Sequence, residues 1–164
     1  MRVAILTVSD RSAAGERPDA SGPALAAAAA SRGWQVSLDG LVPDAFDAIR
    51  NTLLDWCARG DIDIILTTGG TGFAPRDITP EATRAVLERE APGLAEAMRA
   101  ASLKVTPHAM LSRSVAGICR QTLIVNLPGS PKAAIENLEA VVAVFPHAVQ
   151  LLRNDLAGEA GHQA

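Results

Sequence analysis

Short apolar runs rich in Val, Ile and Leu alternate with longer segments at helical spacing along this chain, and that alternation restricts it to an α/β architecture built on a largely parallel sheet. Strands are expected over Arg2–Val8, Gln35–Val42 and Ile62–Thr67, with helices over Ser21–Arg32 and Ala45–Arg59 between them. The run Ile62-Asp63-Ile64-Ile65-Leu66 is nearly continuous in its hydrophobicity, the pattern of a strand covered on both faces. Thr79-Pro80-Glu81 predicts a helix start, with Thr79 as N-cap and Pro80 at the first helical position, where its missing N–H costs no hydrogen bond. Pro92-Gly93 is expected to break that helix, and a second to cover Leu94–Leu103. Ser114–Cys119 and Gln121–Val125 lie too close together for a crossover, so they predict an antiparallel hairpin and a mixed sheet. Apolar residues at Ile135, Leu138, Val141, Val142 and Phe145 predict one closing amphipathic helix over Lys132–Leu152. The 164 residues suit one domain, expected over 1–153, and residues 154–164 read as a frayed tail.

Composition excludes several partners. The formal net charge is -3 and no cluster of Lys and Arg stands out, so there is no electrostatic footprint for nucleic acid or an acidic membrane surface. Aromatic content of 3%, with no Tyr, argues against base stacking as a binding mode. The N-terminal run Val3–Leu6 meets charge at Asp10, too soon for a secretory signal or a membrane span. Cys57 and Cys119 fit no metal-ligand spacing and read as reduced, buried thiols, so the expected location is the cytoplasm. His108, His147 and His162 have no Cys or carboxylate partner at ligand spacing, and the Gly-x-Ser-x-Gly nucleophile turn is absent.

Four segments at expected strand ends carry the chemistry. In Thr67-Thr68-Gly69-Gly70-Thr71-Gly72 a buried strand runs into a turn whose glycines expose backbone N–H groups to an anion; the pattern is neither a Walker A loop nor a dinucleotide fingerprint. Asp77, in Arg76-Asp77-Ile78-Thr79, and Asp44, in Val42-Pro43-Asp44, each suit a helix cap as well as a ligand role. Together, beside a Gly-rich loop, the two carboxylates suit a Mg²⁺ ion bridging phosphate oxygens. Ser9-Asp10-Arg11-Ser12 ends the first strand at the same edge, although Asp10 and Arg11 alone would make an ordinary surface pair. Asn126-Leu127-Pro128-Gly129-Ser130-Pro131-Lys132 brings a hydroxyl and an ammonium to a helix N-terminus.

These segments, with Arg76-Asp77-Ile78-Thr79-Pro80-Glu81-Ala82 and Ala109-Met110-Leu111-Ser112-Arg113, resemble the molybdenum cofactor biosynthesis family that includes the MogA and MoaB proteins, over about residues 1–153. The resemblance implies a three-layer α/β/α sandwich with a mostly parallel mixed sheet and one antiparallel edge hairpin, usually as a homotrimer. It also implies transfer of AMP from Mg·ATP to molybdopterin, with loss of pyrophosphate and hand-over of the product to a molybdenum-insertion enzyme. Carried over by motif, Asp44 and Asp77 would be the essential carboxylates and the Mg²⁺ ligands. Thr68, Gly69, Gly70, Thr71 and Gly72 would line the nucleotide pocket, flanked by Ser9, Asp10 and Arg11. Pro128, Gly129, Ser130 and Lys132 would hold the pterin or its phosphate, with Glu96 and Arg113 as weaker transfers. A non-catalytic pterin-binding module and a nucleotide pyrophosphatase of the same fold are the alternatives.

Overall fold

The computed structural model describes residues 1–153; the expected tail over 154–164 lies outside the described residues. Its strands are β1 (Arg2–Val8), β2 (Gln35–Val42), β3 (Ile64–Thr68), β4 (Arg89–Glu90), β5 (Ala116–Cys119) and β6 (Thr122–Leu127). They form one sheet in the order β2-β1-β3-β6-β5-β4, parallel from β2 to β6 and antiparallel from β6 to β4. The expected hairpin is β5–β6, turning at Arg120 with φ 56°. The short outer strand β4 was not foreseen, because two exposed charged residues carry no strand pattern.

Helices α1 (Asp10–Ala13), α2 (Ser21–Ser31), α3 (Phe46–Ala58), α4 (Thr79–Arg84), α5 (Pro92–Leu103), α6 (Pro131–Val141) and α7 (Phe145–Leu152) cover both faces. Successive strand residues point to opposite layers. Val3, Ile5, Ile64, Leu66, Leu123 and Val125 pack with Leu25, Met98, Leu138 and Phe145 on one side. Ala4, Leu6, Ile65 and Ile124 pack with Ile49, Leu53, Ala82 and Val86 on the other. This double burial explains the continuous apolar runs, since neither face of a central strand meets water.

Three local expectations need correction. Thr79 is the first residue of α4 rather than its cap; its side chain is fully buried and its hydroxyl has no hydrogen-bond partner among the described residues. Pro92 opens α5 instead of breaking a helix before it, which its fixed φ permits at a first position. The closing helix is two helices, α6 and α7, separated by a 3-10 turn over Val142–Val144. Pro146 follows that turn; it lacks an N–H, and its ring would clash with the carbonyl four residues earlier in a continuous helix. The run Pro131–Leu152 is apolar enough to span a membrane by length and composition. The turn interrupts it, and Ala134, Leu138, Val141 and Phe145 bury one of its faces in the core.

α4 and the loop before it are positioned by a buried polar network. The Asn126 side-chain amide donates to Thr67 Oγ1 and to Thr83 Oγ1, both at 2.9 Å, which joins β6, β3 and α4 at the carboxyl end of the sheet. The chain leaves β1 for β2 on one side and returns through α3 to β3 on the other, so the sheet reverses direction beside β1. A crevice outside the strand ends at such a reversal is where open α/β sheets bind ligands.

Candidate active site

A cleft of about 520 Å³ opens at that reversal, over the carboxyl ends of β1 and β3 and the amino end of α6. It is lined by Ser9, Asp44, Thr68, Gly69, Gly70, Asp77, Gly129 and Ser130 among the expected residues. Two glycines make its floor. Gly69 has φ 102°, and a Cβ there would lie 2.2 Å from the Val8 carbonyl oxygen, so β1 and β3 close together only around a residue without a side chain. Gly70 has φ 63°, and its added Cβ would meet Thr79 Oγ1 at 2.3 Å and Asp44 Oδ1 at 2.9 Å. The Thr68 hydroxyl donates to the Pro128 carbonyl at 2.7 Å, and Gly69 N to the Leu127 carbonyl at 3.2 Å, which fastens the Gly-rich loop to the segment leading into α6.

Asp44 does not cap α3, whose N-cap is Ala45 with no side-chain bond. Its carboxylate instead accepts the Asp10 backbone N–H at 2.8 Å, while the Asp44 N–H donates to Asp10 Oδ1 at 3.0 Å. Arg76 grips the Asp10 carboxylate through Nε and Nη2, both at 2.9 Å. Asp10 is thus a brace between the Asp44 turn and the Arg76–Asp77 loop, and does not line the cleft. Burial raises the Asp44 pKa above the ordinary carboxylate value; the Asp10 N–H opposes this, while the charges of Asp10 and Asp77 add to it.

Asp77 does not cap α4 either. Its Oδ2 accepts the Ala74 N–H at 2.9 Å, closing its own loop. Arg113 holds that loop from outside: its backbone N–H donates to the Thr71 carbonyl at 2.9 Å and its Nε to the Gly72 carbonyl at 2.7 Å, while Nη2 bonds the Asp77 carbonyl and Nη1 pairs with Glu81.

The other expected residues lie outside the cleft lining. Arg11 pairs with Glu16 at 3.9 Å and Lys132 with Glu136 at 3.8 Å, both largely exposed. Thr71, Gly72 and Pro128 line a separate cavity of about 270 Å³ behind the Gly-rich loop. Asp19 and Arg17 line the cleft and escaped the sequence reading. Asp19 accepts Ser21 N and Gly22 N at 3.0 and 3.1 Å and the Thr7 hydroxyl at 2.6 Å, so it fastens the start of α2 to the end of β1. The Asp19-Ala20-Ser21-Gly22 sequence is a helix-start signal that would have found it. Arg17, which donates to Ser9 Oγ at 3.4 Å, carries no such signal.

Among the described residues no three His, Cys, Asp or Glu side chains group as a metal cage. The donor set is instead two carboxylates that face one cleft and repel each other. That fits Mg²⁺, which is commonly held by one or two carboxylates with substrate phosphates and water completing its octahedron.

Residues 4–147 match the family described as "Probable molybdopterin binding domain". The molybdopterin adenylyltransferase of Helicobacter pylori strain J99 is 42% identical over 158 residues, covering 93% of this chain and 88% of that protein. The molybdenum cofactor synthesis protein cinnamon of Drosophila melanogaster is 45% identical over 154 residues; the match covers 93% of this chain but 26% of that longer protein. The crystal structure of the Thermus thermophilus molybdopterin biosynthesis enzyme MoaB superposes with a TM-score of 0.88 at 53% identity, covering 94% of this chain and 97% of that one.

Proposed function

Because this chain belongs to the molybdopterin-binding domain family, we propose that it is a molybdopterin adenylyltransferase, moving AMP from ATP to the terminal phosphate of molybdopterin and releasing pyrophosphate. The observation that carries this reading is the convergence of Asp44, Asp77 and the Gly69–Gly70 turn in one cleft, in a chain similar to proteins of that name over most of their length. Residues 1–153 form the functional unit, acting in the cytoplasm as a homotrimer that hands its product to a molybdenum-insertion enzyme. These last points rest on the family resemblance.

In the reaction an oxygen of the molybdopterin phosphate attacks the α-phosphorus of ATP, the bond to the β-phosphate oxygen breaks, and pyrophosphate departs with that electron pair. No strong base is required, since the attacking phosphate is already anionic; the barrier comes from bringing anions together. Asp44 and Asp77 would hold Mg²⁺. Bound there, the ion would supply charge neutralisation on the phosphates. The Gly-rich turn admits phosphate close to the backbone, where a side chain would exclude it. Ser130, the N-cap of α6, leaves its hydroxyl free of that helix and sits where the helix dipole favours an anion. Asp10, Arg76 and Arg113 position the two carboxylate loops. Lys132, on the exposed first turn of α6, adds positive charge at the rim.

The test is anaerobic incubation of the purified chain with molybdopterin, ATP and Mg²⁺, followed by chromatography for adenylylated molybdopterin. Asp77→Asn is expected to fold normally and to lose turnover by about a hundredfold or more, the usual cost of one transition-state stabiliser. Undiminished turnover in that variant would overturn the role of Asp77. Pterin binding without product in the wild type would overturn the transferase reading.

A further inference from the structure

A second cavity, of about 300 Å³, lies at the other end of the sheet and shares no lining residue with the cleft. One wall is the face of α5 bearing Pro92, Ala95 and Arg99; Arg84 comes from the end of α4, and Arg113 and Ser114 from the segment entering β5. We propose that this cavity binds a small oxyanion of the phosphate class, held by Arg84 and Arg99 with Arg113 behind them. The proposal stands independently of the transferase reading.

Charge is the first argument. The cavity wall carries three guanidinium groups and one carboxylate, Glu90, in a chain whose net charge is -3. Glu90 offsets Arg84 and Glu81 offsets Arg113, so the excess positive charge of the wall is that of Arg99, and a concave wall focuses it.

The state of Arg99 is the second argument. Its side chain is half-buried, and its Nη1 donates to the carbonyls of Ser112 and Ser114 at 3.5 and 3.1 Å. Carbonyls satisfy hydrogen bonds without cancelling charge, and among the described residues Arg99 makes no ion pair. Arg84, by contrast, pairs with Glu90 at 3.3 Å, and Arg113 with Glu81. A guanidinium partly withdrawn from water without a counter-ion is costly, and its planar fork matches the oxygens of a phosphate.

The helix supplies a third. α5 is 12 residues long and begins at Pro92 with no side-chain cap and no acidic residue in its first turn, so the positive end of its dipole adds to the cavity wall, where the nearby Glu90 is engaged by Arg84. The volume admits a free phosphate ion or the phosphate of a small ester.

The experiment is calorimetric titration of the full chain, in chloride buffer, with inorganic phosphate and separately with glycerol phosphate. The wild type, Arg99→Gln, Arg84→Gln and Ser130→Ala are compared. The wild type is expected to bind phosphate, and each arginine variant to bind it about tenfold more weakly or worse, the loss typical of one charged hydrogen bond. Ser130→Ala, which alters only the main cleft, is expected to retain this binding. Tighter binding of glycerol phosphate would identify an ester as the ligand, and equal or weaker binding the free ion. Equal affinity in wild type and both arginine variants would overturn the site, as would loss of binding in Ser130→Ala alone. Arg84 is exposed, so its replacement keeps the test valid should Arg99→Gln fail to fold. Light scattering closes the remaining route: a change of assembly size in Arg99→Gln, with no phosphate binding in the wild type, would assign Arg99 to a subunit contact and overturn the proposal.

Discussion

Gly70→Ala tests the geometry of the cleft floor more sharply than replacement of a charged residue. At φ 63° an L side chain is strained, by roughly 1–2 kcal/mol. The new methyl would also sit 2.3 Å from Thr79 Oγ1 and 2.9 Å from Asp44 Oδ1, inside contact distance. Thr79 is fully buried at the start of α4 and has little room to yield, so overpacking adds about 1–3 kcal/mol. The expected loss is therefore about 2–5 kcal/mol in urea unfolding, read as a lower midpoint at unchanged slope. Thr79→Ala removes the nearest clashing atom, so the double variant should recover about 1 kcal/mol or more relative to additivity, while the backbone strain persists. Gly69→Ala offers the contrast: its Cβ meets the Val8 carbonyl, a backbone atom that no side-chain replacement relieves. A loss below about 0.5 kcal/mol for Gly70→Ala, the range of an ordinary surface change, would refute the reasoning. So would strict additivity with Thr79→Ala.

Thr79→Val keeps the shape and removes a buried hydroxyl that has no partner among the described residues, so it should stabilise the chain by about 1 kcal/mol, where burying a methyl in place of a bonded hydroxyl would destabilise; thermal melting decides the sign. The raised Asp44 pKa means that the folded state holds this proton more tightly than the unfolded chain. Its stabilising contribution is then complete below the ordinary carboxylate pKa of about 3.9 and is lost as pH rises through the higher folded value. Denaturation across that window should show wild type losing stability relative to Asp44→Asn, and added Mg²⁺ should recover stability at neutral pH in the wild type more than in the variant. Burial pushes the Cys57 thiol up, with Cys119 beside it, so neither should react with a disulfide reagent at pH 8 until urea unfolds the chain; rapid reaction of the native protein would contradict that packing.

Much of the architecture was legible because double burial is written locally. The limits of β1 follow from its apolar run alone, and the hairpin from two runs separated by too little chain for a crossover. The Gly-rich turn was legible for the same reason, since a left-handed backbone and a close strand approach both select glycine at single positions. Pro146 was equally visible as the residue that divides the closing helix, but regular apolar spacing on either side concealed the break.

Local spacing could not supply the pairings that make the site. Asp44 and Asp77 each stood before a helix and suited a cap, yet neither caps one, because Asp10 captures the first and Ala74 the second. Asp10 lies 34 residues from Asp44 and 66 from Arg76, and Arg113 reaches back 41 residues to Gly72. The sequence determined by itself that small residues and carboxylates stand at the ends of parallel strands, because strand period and turn stereochemistry act over a few neighbouring residues. Which carboxylate faces the cleft and which becomes a brace was decided only by the tertiary structure, because side-chain hydrogen bonds go to whatever donor the strand order brings within about 3 Å.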